Sequence, residues 1–361
     1  MGEFDLIARY FQYPAQAASS PGVVLGIGDD CALLQPAPGM QLAVSSDMLI
    51  EGRHFFADTA PRKLGHKALA VNLSDLAACG AEPLAFTLAL ALPEVDEAWL
   101  AGFSGGLLAL AASHGCALVG GDTTRGPTLT LCITVFGQVP VVEGQSQALL
   151  RSGAAVGDDL YVSGNLGDAA LALAALQQKI QLPEALLQAA QLRLEQPTPR
   201  IALGVALRGI ASSAIDISDG LVGDLQHVLV ASGWQEGRKQ ALGAVIQLES
   251  AINLIAARAD NSRARGVFDA QKRPKNALEG LLSPDQQLAL ILAGVDDYEL
   301  AFTAPVAQRS AVALAAASAN TAVSRIGSID TGPGIRLCNA AGHEQPLPDM
   351  QPFDHFRAKT P

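Results

Sequence analysis

Aromatic side chains are scarce in this chain: 11 Phe, 4 Tyr and 2 Trp among 361 residues. Charged residues make up only 16%, against 49% apolar. So little charge with so much apolar content excludes an intrinsically disordered chain and fits closely packed α/β layers. Basic residues are the scarcer charge, 24 Lys and Arg against 35 Asp and Glu, a formal net charge of −11. Nucleic acid is therefore not expected as a partner, since it requires a basic face to displace counterions. Phosphorylated ligands stay open, because a divalent cation can bridge carboxylate and phosphate. The five cysteines, Cys31, Cys79, Cys116, Cys132 and Cys338, form no C-x-x-C pair. Neither a zinc site nor a disulfide framework follows, and reduced core thiols in a cytoplasmic protein are expected.

Familiar signatures are missing too. There is no GxxxxGK[ST] and no HExxH, and the six histidines are scattered. "GIGDDC" has Cys31 where a dinucleotide fingerprint needs its third glycine. The opening "MGEFDLIARYF" has early acidic residues and no apolar core, so no signal peptide is expected. Leu6 stands where a myristoylation signal needs Ser or Thr. Residues 98–121 carry no formal charge over a bilayer-spanning length. Gly105-Gly106 and Ser113-His114-Gly115 interrupt that run, which reads instead as a buried helix followed by a strand.

What is present is an alternation of strands and helices in two parts. "QLAVSSDMLI" and "AFTLALALP" read as strands around a helix, "RKLGHKALAVNLSDLAACG", closed by Gly80. "CALVGGDTT" reads as a short strand entering a glycine turn. In "TLTLCITVFGQV", Leu129, Leu131, Ile133 and Val135 alternate with Thr128, Thr130, Cys132 and Thr134, the pattern of a half-buried strand. A Gly/Ser/Gln-rich stretch places a domain boundary between residues 1–147 and 148–361. The second part adds "DLYVSG", "SAIDIS", "YELAFTAP" and "AVSRIGSI" as strands among helices. Residues 236–293 concentrate charge and read as an atypical, flexible solvated segment. The expected fold class is mixed α/β (α+β), with an N-terminal sheet domain and a C-terminal α/β domain.

Aspartate recurs at the ends of apolar strands and inside one apolar helix: Asp29-Asp30, Asp47, Asp75, Asp122, Asp216, Asp219 and Asp296-Asp297. Each has a plain reading. Ser218 and Asp219 suit a helix N-cap and its first turn. Asp29-Asp30, Asp296-Asp297, Asp47 and Asp122 suit turns. Asp75 is harder to dismiss, because a carboxylate in an Ala/Leu-rich helix is costly to bury unless paired or metal-bound. Asn72 and Asp75 share one helix face. Taken together, clustered Asp and Ser oxygens make a hard-oxygen set suited to Mg²⁺ and to phosphorylated ligands. Gly121 lets a backbone N–H approach a phosphate, and Arg151 offers a fork to a polyphosphate.

The motifs "GEFDLIARYF", "GIGDDCALL", "SSDMLIEGRHF", "NLSDLAACGAEP", "GGDTTRG", "RSGAAVGDDLYVSGNLGDAA", "AIDISDGLVGDL" and "DDYEL" follow one another as in one family. The chain resembles the thiamine-monophosphate kinase family, of the aminoimidazole-ribonucleotide-synthetase-like superfamily. The resemblance implies that superfamily's two-domain architecture, with the N-terminal domain binding ATP and Mg²⁺ and forming a homodimer. It implies direct in-line transfer of the ATP γ-phosphoryl group to thiamine monophosphate, with several Mg²⁺ ions and no phosphoenzyme. Carried over by position, Asp30, Ser45, Ser46, Asp47, Asp75, Asp122, Asp216 and Asp219 resemble the metal ligands. Gly121, Asp122, Arg151 and Ser218 resemble ATP contacts, and His54, Asp296 and Phe353 substrate contacts. On residues alone His54 reads as a packed histidine.

Two departures stand out, Val295 and Asp296, where the family has Gly and Glu. Asp296 is one methylene short, and Val295 cannot adopt the φ > 0 backbone that Gly takes freely. Competing readings are another ATP-dependent synthetase of the superfamily and a non-catalytic nucleotide- or cation-binding protein. No partner membrane is expected.

Overall fold

The structure, a computed structural model, describes residues 3–11, 21–235, 238–239, 241–255, 278–332 and 334–348. Its contacts divide the chain into two compact units. One holds the chain up to Ala148 together with Glu195–Ile201; the other holds Leu149–Leu194 and the chain from Ala202 onward.

The first unit runs α1 (Glu3–Tyr10), β1 (Val23–Leu25), β2 (Leu33–Leu34), β3 (Met40–Ile50), α2 (Pro61–Ala78), β4 (Glu82–Leu92), α3 (Glu97–Ser113), β5 (Ala117–Arg125), β6 (Thr130–Val142) and β7 (Gln145–Ser146). Its main sheet has the order β3-β6-β4-β5, with β7 paired to β6. β6 alternates as read: Leu131, Ile133 and Val135 are buried, the residues between them only partly. The charge-free stretch resolves into the 17-residue helix α3 and strand β5, and no described helix is long and apolar enough to cross a membrane. α3 runs through Gly105-Gly106 because Gly106 packs against the Arg62 carbonyl of α2, with no room for a Cβ. Asp96 caps α3, its Oδ1 accepting the N–H groups of Ala98 and Trp99 at 2.8 and 3.0 Å.

Three local expectations change in this unit. "CALVGGDTT" does not end in a glycine turn; β5 continues through Gly120-Gly121 to Arg125, with a register shift against β4 at Phe86/Thr87. "GIGDDCALL" runs into only a two-residue strand, β2, in which Leu33 is 52% exposed while Leu34 is partly buried against Leu84 and Ala85. Of the five cysteines only Cys116 is buried, and Cys31 is exposed. An apolar neighbour in sequence does not by itself bury a residue.

The second unit runs β8 (Asp159–Ser163), α4 (Asp168–Leu176), α5 (Glu184–Glu195), α6 (Ile201–Ala206), β9 (Ser213–Ile217), α7 (Leu221–Ser232), β10 (Trp234–Gln235), β11 (Arg238–Lys239), β12 (Gly243–Gln247), α8 (Leu248–Ala251), α9 (Pro284–Ala293), β13 (Glu299–Ala304), α10 (Arg309–Ser318), β14 (Val323–Asp330), β15 (Gly334–Cys338) and β16 (Glu344–Gln345). Seven strands form one mixed sheet, β16-β15-β12-β14-β8-β13-β9. β12 is parallel to β15 and antiparallel to β14. Its core gathers Leu160, Val162, Ile215, Ile217, Ile246 and Ile326.

The charged segment is thus not all loop. Residues 243–247 form an inner strand, with Ala244 and Ile246 fully buried. α9 carries a capping box, in which Ser283 and Gln286 satisfy each other's backbone N–H. The basic run of residues 256–277 lies outside the described residues.

Candidate active site

In the first unit, β3 and α2 supply the central group. Ser45, Asp47 and Leu49 alternate onto the side of β3 that meets α2. Ser45 Oγ donates to Asp75 Oδ2 at 2.5 Å, and the Asp47 N–H donates to Asn72 Oδ1 at 3.1 Å. Asn72 is buried and is itself fixed by its amide donating to the Ala68 carbonyl. Asp47 and Asp75 are half-buried. The helix face inferred from the Asn72/Asp75 spacing therefore is the one that lies under β3.

Ser46 points the other way. Its hydroxyl contacts the Ile133 carbonyl at 3.1 Å and Thr134 Oγ1 at 3.0 Å on the opposite sheet face. The hydroxyls of Ser45 and Ser46 are not brought together. Asp30 and Asp122 are exposed, and Asp29 Oδ1 accepts the Asp30 N–H at 2.8 Å. Gly121 sits at φ 152°, where a Cβ would overlap the Leu88 carbonyl oxygen. His54 Nδ1 accepts the Ile50 N–H at 3.0 Å, which assigns the ring proton to Nε2 and leaves that nitrogen a donor.

In the second unit, β9 and β13 pair Asp216 with Leu300. Asp216 is buried at the strand end and Asp219 is exposed in the loop that follows. Ser218 and Asp219 do not cap the next helix: α7 begins at Leu221 behind Gly220, with no side-chain cap. Both backbone N–H groups instead point to Asp224 Oδ2, each at 3.0 Å. Burial pushes the Asp224 carboxyl up to about 6 despite those two donors; neighbouring Asp219 raises it further and Arg151 opposes. Sequence reasoning missed Asp224. Its only signal was a second aspartate five residues behind Asp219, on the face of α7 that turns inward.

The loop before β13 docks on this turn. The Asp296 N–H donates to the Ser218 carbonyl at 2.9 Å, and the Tyr298 N–H to the Ile217 carbonyl at 2.8 Å. Asp296 Oδ1 accepts from Tyr298 Oη at 3.0 Å. Asp296 and Tyr298 sit at φ 69° and 50°, while Val295 is not among the residues with positive φ. The Gly-to-Val departure thus meets no left-handed backbone, contrary to the sequence reading; the strain falls one and three residues later. Arg151 is exposed, and its carbonyl accepts from Ser232 Oγ at 3.1 Å. Phe353 lies outside the described residues.

The family can be read from the full length of the chain. The thiamine-monophosphate kinase of Escherichia coli K12 is 43% identical over 358 residues, covering 98% of both chains. This chain belongs to the thiamine-monophosphate kinase family. The family's member from Stenotrophomonas maltophilia K279a has a crystal structure that matches at 42% identity and a TM-score of 0.77, covering 93% of this chain and 96% of that one. The structure of AaThiL complexed with AMPPCP and TMP matches at 26% identity and a TM-score of 0.69, covering 89% of each chain. Residues 28–139, from just before Asp30 into β6, match the family model "AIR synthase related protein, N-terminal domain". The sequence identity thus runs from end to end within one kinase family.

Proposed function

We propose that this kinase transfers the γ-phosphoryl group of ATP to thiamine monophosphate, forming thiamine diphosphate and ADP. The observation that carries the reading is the end-to-end identity with thiamine-monophosphate kinases, supported by a neighbour whose structure holds AMPPCP and TMP. A terminal phosphate oxygen of thiamine monophosphate attacks the γ-phosphorus in line, and the bond to the β,γ-bridging oxygen breaks. The acceptor phosphate is already a competent nucleophile, so no general base is assigned.

The residues fit Mg²⁺. The donors are carboxylate, hydroxyl and carbonyl oxygens, the set this hard cation prefers. Among the described residues no three His, Cys, Asp or Glu side chains converge on one metal position. Asp30, Ser45, Ser46, Asp47, Asp75, Asp122, Asp216 and Asp219 would be the ligands. Several bound Mg²⁺ ions would neutralise phosphate charge. Gly121 would present its N–H to a phosphate, Arg151 its guanidinium, and Asp122 and Ser218 would complete the nucleotide contacts. His54 Nε2–H and Asp296 would meet thiamine monophosphate, with Phe353 against its thiazolium.

A cytoplasmic homodimer completes the reading, with residues 1–147 as the nucleotide-binding and dimer-forming part and 148–361 as the second domain. Its support is the outer face of edge strand β3, where Leu42, Val44 and Met48 are 43%, 56% and 52% exposed. The decisive experiment incubates purified protein with ATP, Mg²⁺ and thiamine monophosphate. Thiamine diphosphate is expected in equal amount to ADP; none above background, or turnover only with formylglycinamidine ribonucleotide, would sink the proposal.

A further inference from the structure

Arg193 lies on α5, about 100 residues before the Asp296 loop and outside every motif quoted above. Its Nη2 donates to Glu299 Oε1 at 2.7 Å and contacts the Asp297 carbonyl at 3.4 Å. One guanidinium nitrogen thus holds the chain on both sides of Tyr298. Glu299 is fully buried, and its other oxygen accepts from Ser163 Oγ at 2.6 Å. Ser163 in turn accepts the Leu300 N–H at 2.8 Å, which ties the network to the β8–β13 ladder. A Cβ at Gly164 would overlap the Glu299 carboxylate, so the chain is built around that group.

The loop these contacts hold is the strained one. Asp296 and Tyr298 are L-residues in the left-handed region, on either side of Asp297. Such a backbone persists only when its surroundings over-determine it. Asp297 is buried and accepts the Gly167 N–H at 2.8 Å, and the Asp296 and Tyr298 N–H groups are bonded to β9 and the turn behind it. A buried ion pair is a poor way to stabilise a core, since well-packed apolar groups do as well or better. Its use here is geometric.

We infer that Arg193 is a positioning residue for thiamine monophosphate, acting through Glu299 to hold Asp296 and Tyr298 in their strained conformation. The inference rests on Asp296 contacting the substrate. In full-length protein with Mg²⁺, Arg193→Met raises KM for thiamine monophosphate about tenfold and leaves KM for ATP within about twofold. Amide hydrogen exchange in peptides spanning residues 294–300 speeds up in the same variant without substrate. Arg193→Lys restores part of both effects, because it keeps the charge but not the planar guanidinium. If Arg193→Met does not fold, Ser163→Ala takes its place, with about a threefold rise in the same KM. Unchanged exchange at 294–300, or an equal rise in both KM values, overturns the inference. Absence of kinase activity in the unaltered protein would sink the function reading instead, and the exchange measurement still judges the clamp.

Discussion

In the first unit the carboxylates of the motifs keep contact with solvent. Asp30 and Asp122 are exposed, and Asp47 and Asp75 are half-buried beside the neutral groups of Ser45 and Asn72. In the second unit, Asp159, Asp224, Asp297 and Glu299 are 4% exposed or less. There the partners are arginines or backbone N–H groups. Asp159 takes Arg309 at 2.6 and 2.9 Å and Arg325 at 3.1 Å; Glu299 takes Arg193; Asp224 and Asp297 accept from the backbone. Removing a carboxylate from water is costly unless charge or hydrogen bonds replace the hydration. These four acids of the second unit therefore hold arginines or backbone N–H groups in place, while Asp219 beside them stays exposed. The first unit keeps acids that a cation can still reach.

The two units should then answer the same substitution differently. Asp75→Asn is expected to lower turnover by about 100-fold or more, while the thermal midpoint stays within about 3 °C of the parent. Loss of folding in that variant would erase the contrast and make Asp75 structural. Asp159→Asn should do the reverse. It is expected to cost about 2 kcal/mol at neutral pH, because two half-exposed arginines lose a buried partner, with kcat unchanged.

The pH dependence sharpens the point. Hydrogen bonding and charge from Arg309, with Arg325, hold the Asp159 carboxyl below its ordinary 3.8 against the effect of burial. The stability it supplies is complete above that unfolded value and disappears as pH falls through the lower native one. Urea unfolding should show the parent losing its advantage over Asp159→Asn as pH drops below about 4. An advantage that survives acid would mean that packing, not charge, holds this corner.

The smallest effect tests the departure at Val295. Val295→Gly is expected to destabilise by about 0.5–1 kcal/mol, through the added freedom of the unfolded chain, with unchanged kinetics. A gain in stability or in thiamine monophosphate affinity would show that the loop does want glycine there.

Much of the scaffold was legible because its signals are local. The alternation in β6, the Gly80 stop of α2 and the strands around Asp47 and Asp216 follow from a two- or 3.6-residue period and terminal residues. Where contacts at a distance decide, the reading failed. "GAVIQ" sits in a charged stretch yet becomes an inner strand, because β14 and β15 flank it. Ser218 and Asp219 look like a cap, but Asp224 claims their N–H groups from one turn further along.

The sequence by itself determined the family and the mixed α/β class, since these reside in residue identity and order, and it supplied the Asp and Ser residues proposed as ligands. Only tertiary structure decided which oxygens face one another: that Ser45 meets Asp75 while the Ser46 hydroxyl turns away, that Asp296 rather than Val295 bears the strain, and that Arg193 holds Glu299. Side-chain direction and ion pairing between segments distant in the chain depend on strand register and burial, and no local pattern encodes them.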